Sequence, residues 1–507
     1  MKLPKHSLLI FMTGAVILGL ELAASRYMAP MFGSSLYIWG AILSITLLCL
    51  SAGYSLGGRL GVRLEAPVNR LILFALISAA WIGVLPLLQA PVADLGLAAG
   101  HRFGPLLVTI LLFALPILLL ATATPLVFAE DNRADHGASA PAVMGDLFAI
   151  STVGSVVGAL VTAYGLIPTL GIRNTLFMLS AILFLTISPH LVKGLYLRSA
   201  ANAILVVALL QFFYAPDPNR GLNPEFKRIY RESSEYSQVS VLEHVSNQSR
   251  VLLLNGTSHN WVDGQDRSQS LFDHVRVLQH HVASHPGSKG NALVMGLGAG
   301  VLPSFLQASG YKVDVVEIDP LVVRAAREFF EFGDNIPVHV EDARTFINSS
   351  LNAGRRYSLI IVDVAGGGSQ PGHVFNLEAF STMQRLLTED GLLISNQLAT
   401  RGAGNDEYIR SILATLKVIF PEVHAVDVYP DETSDSLTNF LVFASNLSAG
   451  HEINLSEHGE TIYNPDISDI RPIDDNWNPT EYWAVHFNEL WHNNMAAWLG
   501  PGANLPM

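Results

Sequence analysis

The sequence predicts an α-helical membrane bundle fused to a parallel α/β sheet of the Rossmann type, with a small β-sheet subdomain between them. Two observations lead to this fold class. Half of the 507 residues are hydrophobic and only 14% are charged, a balance that places part of the chain in lipid. In the second half, four apolar runs each end in glycines or a carboxylate, as strands do where a parallel sheet binds a ligand.

The membrane bundle is predicted from about seven apolar stretches, each close to the ~20 residues that a membrane-spanning helix needs. In the fifth stretch, Gly154 and Gly158 have the small-xxx-small spacing that lets two helices pack closely. The stretches cover residues 7–25, 36–58, 69–90, 104–129, 144–168, 173–190 and 199–215.

The domain boundaries follow from changes in composition along the chain. After Tyr214 the sequence becomes polar, and alternating residues at 237–244 and 250–255 predict the small sheet. From Asn291 onward, strands alternate with helices, which is the pattern of a parallel sheet. The polar tail contains several tryptophans, and we expect a lid or a flap on the membrane surface there. We divide the chain into a polytopic transmembrane domain (1–216), a linker with the small sheet (217–288), a nucleoside-binding catalytic domain (289–447) and the tail (448–507).

We expect a multi-pass protein of the inner or cell membrane, although charge and span count disagree about its orientation. The excess of Lys and Arg on the side of the N-terminus places that terminus in the cytoplasm. Seven spans then put the catalytic half outside, whereas we expect the catalytic domain to lie in the cytoplasm. Glu21, Arg26 and Asp146 either line a polar cavity in the bundle or lie at the interface, where long side chains reach water.

A nucleoside site is predicted where the strands of the parallel sheet end. Gly296, Gly298 and Gly300 let the backbone turn tightly and let a ligand approach the next helix. Glu317 ends the second strand, where a carboxylate can accept hydrogen bonds from both ribose hydroxyls. Asp342 is suited to an adenine amino group, and Asp363 to holding or deprotonating an amine.

Each of these carboxylates also has a purely structural interpretation. Glu317 can be a solvated strand end, Asp342 the N-cap of the following helix, and Asp363 a residue in a turn. On these features alone, a NAD-binding fold stays open. The last glycine of the dinucleotide motif G-x-G-x-x-G is replaced by Val301, which favours a ligand of the S-adenosylmethionine type.

Composition also argues against several other classes of function. A net charge of -13 argues against nucleic acid as a partner. Cys49 is the only cysteine, which argues against disulfides, thiolate metal sites and a cysteine nucleophile. The histidines at 274, 280, 281 and 285 do not share one helix face, so we expect no metal site there. His373, in the loop after Asp363, is a better functional candidate.

Residues from about 225 to 445 resemble the spermidine synthase (polyamine aminopropyltransferase) family in the order and spacing of short motifs. The first half and the tail resemble the polytopic, membrane-fused bacterial branch of that family, through Glu21–Arg26 and Pro472–Asp475. The motifs are Tyr236-Ser237-Gln238, Leu254-Asn255-Gly256, Gly296–Gly300, Val316–Asp319, Glu341–Ala343, Ile361–Asp363, Leu377–Phe380, Asp390-Gly391 and Val428-Tyr429-Pro430.

The resemblance implies a methyltransferase-like fold, a site for decarboxylated S-adenosylmethionine and no metal. Gln238 would touch the donor's side-chain end, and Asp363 would be the base that makes an acceptor amine nucleophilic. The amine would attack the carbon next to the sulfonium and release methylthioadenosine. A homodimer formed through the small sheet is also implied. The residues that the resemblance assigns to the donor are Gln238, Gly296, Gly298, Gly300, Glu317 (ribose), Asp342 (adenine) and Ala343.

The chain departs from the family's pattern mainly where cationic amines are held. Ala299 replaces an Asp that holds the donor's amino group, and Gly366 replaces the second Asp of the acceptor motif. These changes put an intact putrescine site in doubt. The residues that we consider for the acceptor side are Tyr236, His259 (in place of a Gln), His274 and Arg276 (in place of a Tyr and a Glu), His373 and Tyr429.

Three functions therefore stay open. The first is an aminopropyltransferase with an altered acceptor, a small-molecule amine. The second is an enzyme that uses S-adenosylmethionine itself, as a methyltransferase or a sulfonium lyase; Ala299 with Arg276 nearby would suit a ligand that keeps its carboxylate. The third is a transporter or sensor whose soluble half binds a nucleoside without turnover. Asp363 favours an enzyme, and the charged residues in the bundle favour a transporter.

Overall fold

The computed structural model describes residues 6–32, 36–134, 140–191, 217–285, 289–364, 370–402, 406–430, 436–446, 455 and 459–504. The chain separates into two compact units, formed chiefly by residues 1–220 and 221–504. Each unit has its own hydrophobic core. The predicted seventh span (199–215) and Gly366 lie outside the described residues.

In the described residues, every regular secondary-structure element of the first unit is a helix. Two π-helical turns, Thr109–Ala114 and Thr162–Leu166, connect successive helices. The helices are α1 (Ser7–Phe32), α2 (Leu36–Arg63), α3 (Pro67–Ala98), α4 (Gly100–Val108), α5 (Leu115–Ala121), α6 (Ala123–Ala134), α7 (Ala140–Val161) and α8 (Ile167–Leu191).

Five helical runs in the described residues are long and apolar enough to cross a membrane, so the predicted seven-span bundle is not confirmed. One reason for the lower number is that two predicted spans lie in one continuous run, Ala140–His190. Gly171, at φ 71° and ψ 171°, interrupts the helical backbone inside this run.

The run Ala140–His190 folds back on itself at Gly171. A Cβ at Gly19 of α1 would lie 2.8 Å from Thr162 and 3.0 Å from Leu179, so residues before and after the break reach the same level of α1. Further along the chain, the ring centre of His190 lies 5.8 Å from that of His6, near the start of α1. The two predicted spans in this run are therefore antiparallel.

Close packing of α1 against α7 depends on the small residues of the predicted motif. A Cβ at Gly154 would lie 2.1 Å from the carbonyl oxygen of Phe11, and a Cβ at Gly158 would lie 2.1 Å from that of Ala15. Such distances are shorter than any real contact, so the two helix backbones approach each other only because both positions are glycine.

We expect Gly158→Ala to destabilise the first unit by about 1–3 kcal/mol, because the added methyl group forces α1 and α7 apart. Gly145→Ala is the matched control, since a Cβ at Gly145 in the same helix meets nothing within 4 Å. Thermal unfolding of both variants in the same detergent measures the difference. Equal stability of the two variants would contradict the packing role of Gly158.

The second unit begins with an antiparallel sheet of four strands in the order β1-β2-β3-β4. Its central strands are buried on both faces, because alternate side chains join two different core clusters. The strands are β1 (Phe226–Ser233), β2 (Gln238–His244), β3 (Arg250–Leu254) and β4 (Thr257–Val262).

An eight-stranded sheet follows, in the order β12-β10-β11-β9-β8-β5-β6-β7. Strands β9, β8, β5, β6 and β7 are parallel neighbours, and β10, β11 and β12 add an antiparallel edge. The strands are β5 (Asn291–Met295), β6 (Lys312–Glu317), β7 (Val338–Val340), β8 (Tyr357–Val362), β9 (Leu387–Thr400), β10 (Glu422–Asp427), β11 (Leu437–Ser445) and β12 (Thr461–Tyr463).

Helices cover both faces of this sheet. In β5, Ala292 and Val294 join one core cluster, whereas Leu293 and Met295 join another, so successive side chains are buried on opposite faces. The helices are α9 (Asp273–Ser284), α10 (Val301–Ala308), α11 (Pro320–Phe330), α12 (Ala343–Asn352), α13 (Leu377–Leu386), α14 (Glu407–Ile419) and α15 (Thr480–Leu499).

The strand order sets the position of the site. After β5 the chain builds β6 and β7 on one side, and it then returns to place β8 on the other side. In doubly wound sheets, the crevice at such a reversal is where ligands bind. The predicted glycines, Glu317, Asp342 and Asp363 all follow these strands.

Candidate active site

Two neighbouring cavities open at the carboxyl ends of β5, β6 and β8. The first has a volume of about 260 Å³ and the second about 200 Å³. His259, Asp363 and Val364 line both of them. The first cavity contains predicted nucleoside residues, and the second extends from Asp363 toward β9, β11 and α15.

The glycine loop after β5 is fixed by a side chain from the small sheet. The Oδ1 atom of Asn260 accepts a hydrogen bond from the backbone N–H of Ala299 at 2.7 Å. A Cβ at Gly298, where φ is +54°, would lie 2.1 Å from that same oxygen. Gly298 is therefore needed for the approach of Asn260 as well as for the turn. No sequence motif pointed to Asn260, apart from its place in a predicted strand.

Glu317 lies in the first cavity, with both carboxylate oxygens bound to backbone amides. Oε2 accepts from Leu297 N at 3.0 Å, and Oε1 accepts from Asp319 N at 2.9 Å. Burial raises the pKa of Glu317 to about 7, although the backbone hydrogen bonds oppose this shift. Each oxygen keeps a further lone pair, so the group can still accept hydrogen bonds from a ribose.

We expect the affinity for S-adenosylhomocysteine, a stable nucleoside probe, to rise with pH and to level off above pH ~7. The raised pKa means that the free protein holds Glu317 protonated at lower pH, whereas ribose hydroxyls bind best to the ionised form. Because one proton is linked to binding, the affinity for S-adenosylhomocysteine should weaken by up to ~tenfold for each pH unit below about 7. Calorimetric titration across this range measures it.

Glu317→Gln is the control for this titration. The variant should bind the probe more weakly and without the same pH dependence, because an amide does not titrate. A dissociation constant of the wild-type protein that is independent of pH would show that Glu317 does not contact the ligand in its ionised form.

Asp342 lies in the first cavity and also caps a helix, so both interpretations of this residue describe part of its environment. Its Oδ1 accepts from the backbone N–H of Thr345 at 2.9 Å, and its Oδ2 lies 2.8 Å from Nε2 of His373. Burial by itself raises the pKa of Asp342, but the hydrogen bonds from His373 and Thr345 outweigh it and the pKa is lowered. Ala343 and Tyr236 line the same cavity.

A segment of the tail holds the loop that carries His373. Asp475 forms a two-pronged ion pair with Arg344, at 2.5 and 2.6 Å, and Arg344 also donates to the carbonyl of His373 at 3.1 Å. Asn478 donates to the carbonyl of Gly372 at 2.8 Å. The sequence pointed to Asp475 only as part of an acidic tail motif, and the contact with Arg344 explains its place beside the site.

Asp475→Asn should loosen this loop and raise the KM for the nucleoside donor by ~3–10-fold, because one charged partner of a two-pronged pair is lost. The effect on kcat should be much smaller, since the second cavity is unchanged. Asp469→Asn removes a comparable exposed ion pair, that with Arg410, outside both cavities, and serves as the control. Identical kinetics in the two variants would contradict the positioning role of Asp475.

Asp363 lies where the two cavities meet and is anchored by a chain of amides. Asn396 donates to Oδ1 of Asp363 at 2.8 Å, and Asn439 donates to Oδ1 of Asn396 at 3.0 Å. Both asparagines line the second cavity. These contacts fix the orientation of the carboxylate and leave its Oδ2 for a ligand.

The second cavity has two neutral imidazoles and several aromatic side chains. Burial lowers the pKa of His259 to about 3 and also lowers the pKa of His274, although the nearby Asp363 opposes the latter shift. Tyr429 lines the cavity, and so does Trp491 from the tryptophan-containing tail. The second cavity is therefore lined by aromatic rings, neutral imidazoles and the carboxyl group of Asp363.

Three predicted residues do not line either cavity. The side-chain oxygen of Gln238 accepts from Arg231 at 2.6 Å. Arg276 pairs with Asp273 at 2.5 Å, so the expectation that it meets a donor carboxylate has no support from its position. Gly300 begins α10 at φ +79°, where a Cβ would overlap Phe332.

In the described residues, no cluster of three or more His, Cys, Asp or Glu is arranged to hold a metal ion.

Comparisons with known proteins find similarity to polyamine-forming enzymes. Residues 245–452 match the model of the spermine/spermidine synthase domain. A polyamine aminopropyltransferase of Vibrio vulnificus is 29% identical over 218 residues, which cover 41% of this chain and 69% of that protein. A probable spermidine synthase structure from Corynebacterium glutamicum covers 44% of this chain and 81% of its own, with 19% identity and a TM-score of 0.38.

Methyltransferases are also among the similar proteins. An N-terminal histidine N-methyltransferase of Emericella nidulans is 27% identical over 407 residues, covering 71% of this chain and 68% of that protein. Residues 221–504 make up less than three fifths of the chain, so this similarity extends into the helical first unit. The human eEF1A lysine and N-terminal methyltransferase is 35% identical over 142 residues, only 20% of its length. By this domain match, and in line with the aminopropyltransferase relatives, residues 245–452 form a domain of the spermidine synthase family.

Proposed function

We propose that this protein is a transferase that binds S-adenosylmethionine in the first cavity and moves its methyl group to a nitrogen nucleophile held in the second. The observation that carries this proposal is the junction of the two cavities at Asp363. A donor in one cavity and an acceptor in the other would meet beside a carboxylate, which is the arrangement that a direct transfer needs.

The residues of the first cavity suit the nucleoside part of the donor. Glu317 would accept hydrogen bonds from the ribose hydroxyls, and Asp342 with Ala343 would meet the adenine edge. The turn at Gly296 and Gly298 brings backbone close to the cavity, where the charged end of the donor would lie. His373 would close this cavity from the opposite loop.

The transfer itself would be a single displacement. The lone pair of the acceptor nitrogen forms a bond to the methyl carbon while the carbon–sulfur bond breaks, and its electron pair stays on sulfur as a neutral thioether. The nitrogen then carries an extra proton, which passes to Oδ2 of Asp363. Because the sulfonium is already a good leaving group, the protein mainly aligns the reactants and accepts this proton.

Two observations favour methyl transfer from intact S-adenosylmethionine. Ala299 stands where the resemblance expects an Asp for the amino group of the decarboxylated donor, and its backbone N–H is bound to Asn260. In addition, the similarity to the Emericella N-terminal histidine N-methyltransferase extends into both units and covers 71% of the chain, whereas that to the Vibrio aminopropyltransferase covers 41%. A peptide N-terminus is therefore among the acceptors to test.

Aminopropyl transfer from decarboxylated S-adenosylmethionine is the second candidate. It is favoured by the placement of Glu317, Asp342 and Asp363 around connected cavities, as the aminopropyltransferase resemblance implies, and by the match to the synthase domain. In that reaction the same nitrogen would attack the aminopropyl carbon next to sulfur, and methylthioadenosine would leave.

We also propose that the first unit holds the protein in a membrane as a multi-pass segment. The five apolar runs support this, and the reversal at Gly171 divides the last of them into two antiparallel helices. Whether residues 199–215 cross the membrane then decides which side carries the catalytic half. Cysteines introduced at positions 218 and 135 can be labelled from outside in sealed vesicles. The labelling shows on which side of the membrane each position lies.

Product analysis distinguishes the candidate reactions. The purified full-length protein is incubated with S-adenosylmethionine or its decarboxylated form, together with n-butylamine, putrescine, benzylamine, histamine or a peptide that begins with histidine. S-adenosylhomocysteine and a methylated amine, from the intact donor only, are the expected products by mass spectrometry. Methylthioadenosine with an aminopropylated amine would establish the second candidate instead.

Two other outcomes would contradict both transfer reactions. Methylthioadenosine formed from the intact donor without any acceptor would indicate a sulfonium lyase. Binding of S-adenosylhomocysteine without turnover of any acceptor would indicate a sensor or a transporter.

Asp363→Asn should lower kcat by ~100-fold or more, because the amide cannot accept the proton that the nitrogen loses. The dissociation constant of S-adenosylhomocysteine should stay nearly unchanged, since the isosteric amide preserves the shape of the junction. Asp334→Asn is the control, because Asp334 pairs with Arg327 at an exposed position. Full activity of Asp363→Asn would overturn the assignment of the base.

A further inference from the structure

We infer that His259 determines the specificity of the second cavity, by accepting a hydrogen bond from the acceptor nitrogen through its Nδ1 atom. This inference rests on the proposed transfer function and adds to it the group that selects the nucleophile. Three separate features of β4 carry it: a bulge that aims the side chain, a hydroxyl that fixes its tautomer, and burial that keeps the ring neutral.

A β-bulge places His259 at the junction of the cavities. In the pairing of β3 with β4, Leu252 lies opposite Asn260 and Leu253 lies opposite Ser258, so His259 is the extra, unpaired residue. In a regular strand, neighbouring side chains point to opposite faces. Here His259 and Asn260 both line the first cavity, and Ser258 and His259 both line the second. Bulges re-aim side chains in this way next to active sites.

The hydroxyl group of Thr257 fixes which ring nitrogen of His259 carries the proton. Thr257 donates its own hydroxyl hydrogen to the carbonyl of Leu254 at 2.8 Å. At the contact of 3.3 Å between Thr257 Oγ1 and His259 Nε2, the hydroxyl can therefore act only as an acceptor. The proton of the neutral ring lies on Nε2, and Nδ1 has a free lone pair.

The ring stays neutral because it is enclosed. Burial lowers the pKa of His259 to about 3, so the imidazole does not become a cation at physiological pH. The ring of Trp491 packs against it with 5.3 Å between the ring centres. A neutral ring in this position offers a hydrogen-bond acceptor to a ligand instead of repelling a protonated amine.

Asp363 and His259 together would match the hydrogen-bonding groups of a primary amine. A neutral primary amine has two N–H groups and one lone pair. Asp363 Oδ2 would accept one N–H, His259 Nδ1 would accept the other, and the lone pair is left for the methyl group in the first cavity. A secondary amine has one N–H fewer, so it would leave one of the two acceptors unpaired, which costs affinity in an enclosed site.

The consequence is a preference for the first methylation over the second. After one transfer, the product is a protonated secondary amine that gives its proton to Oδ2 of Asp363 and then lacks the second N–H for His259. We expect the wild-type protein to use a primary amine ~tenfold or more better in kcat/KM than its N-methyl derivative. Single methylation should therefore dominate the products.

The test compares this preference in variants of His259. The probe is the primary amine with the highest turnover among n-butylamine, putrescine, benzylamine, histamine and the histidine-initiated peptide, together with its N-methyl derivative. His259→Leu should lower kcat/KM for the primary amine by ~10–100-fold and affect the N-methyl derivative much less. The ratio of the two kcat/KM values should therefore approach one. His259→Gln should keep the preference, because its amide oxygen also accepts a hydrogen bond.

Thr257→Val provides a milder variant, since it preserves the shape of the side chain and removes the hydroxyl that fixes the tautomer. Its preference should fall between those of the wild-type protein and His259→Leu. His424→Leu is the matched control and should keep the wild-type ratio, because His424 pairs with Glu422 at an exposed position outside both cavities. Binding of S-adenosylhomocysteine shows that each variant is folded.

The outcomes separate this inference from the proposed function. If no amine of the panel is methylated or aminopropylated by the wild-type protein, both the function and the role of His259 are overturned. If the wild-type protein turns over an amine but His259→Leu keeps the preference for the primary form, the transfer function stands and the role of His259 is overturned. If His259→Gln loses the preference for the primary amine, the hydrogen bond that residue 259 accepts from the amine N–H is overturned as the cause of that preference.

Discussion

The close approach of the glycine turn to the end of β8 is the constraint on which the site depends. A Cβ at Gly296 would lie 2.2 Å from the carbonyl oxygen of Asp363, and Asp363 N donates to the carbonyl of Met295 at 2.9 Å. Only glycine, here at φ +93°, permits this contact. It brings the glycine loop of the first cavity and the carboxylate of Asp363 to the same point, at the reversal of strand order.

Around that point, the small sheet does more than form a neighbouring subdomain. Strand β4 supplies Asn260 to the glycine loop and His259 to the junction of the two cavities, and both depend on a single extra residue in the strand pairing. The same short segment therefore fixes the donor loop and presents a neutral acceptor to the second cavity. A change in the register of β4 would alter both cavities at once.

The second cavity differs in chemistry from the first. Glu317 and Asp342 supply charge to the first cavity, whereas the second combines Asp363 with amides, aromatic rings and neutral imidazoles. An enclosed cavity of this kind suits one nitrogen that is held and deprotonated at the junction, with an apolar or planar group beside Trp491. The tail contributes to both sides, through Asp475 at the first cavity and Trp491 at the second.

The sequence by itself determined the α/β fold of the second half, its resemblance to the spermidine synthase family and the strand-end residues that line the first cavity. The reason is that the glycines and carboxylates of the site follow apolar runs at a spacing set by the parallel sheet. The seven predicted spans are not confirmed, because five apolar runs in the described residues are long enough to cross a membrane. Only the tertiary structure decided that Asn260, Asn396, Trp491 and Asp475 join the site, and that Gln238 and Arg276 do not. The physical reason is that strand bulges, side-chain amide networks and the return of the tail are long-range contacts, which leave no periodic pattern in the chain.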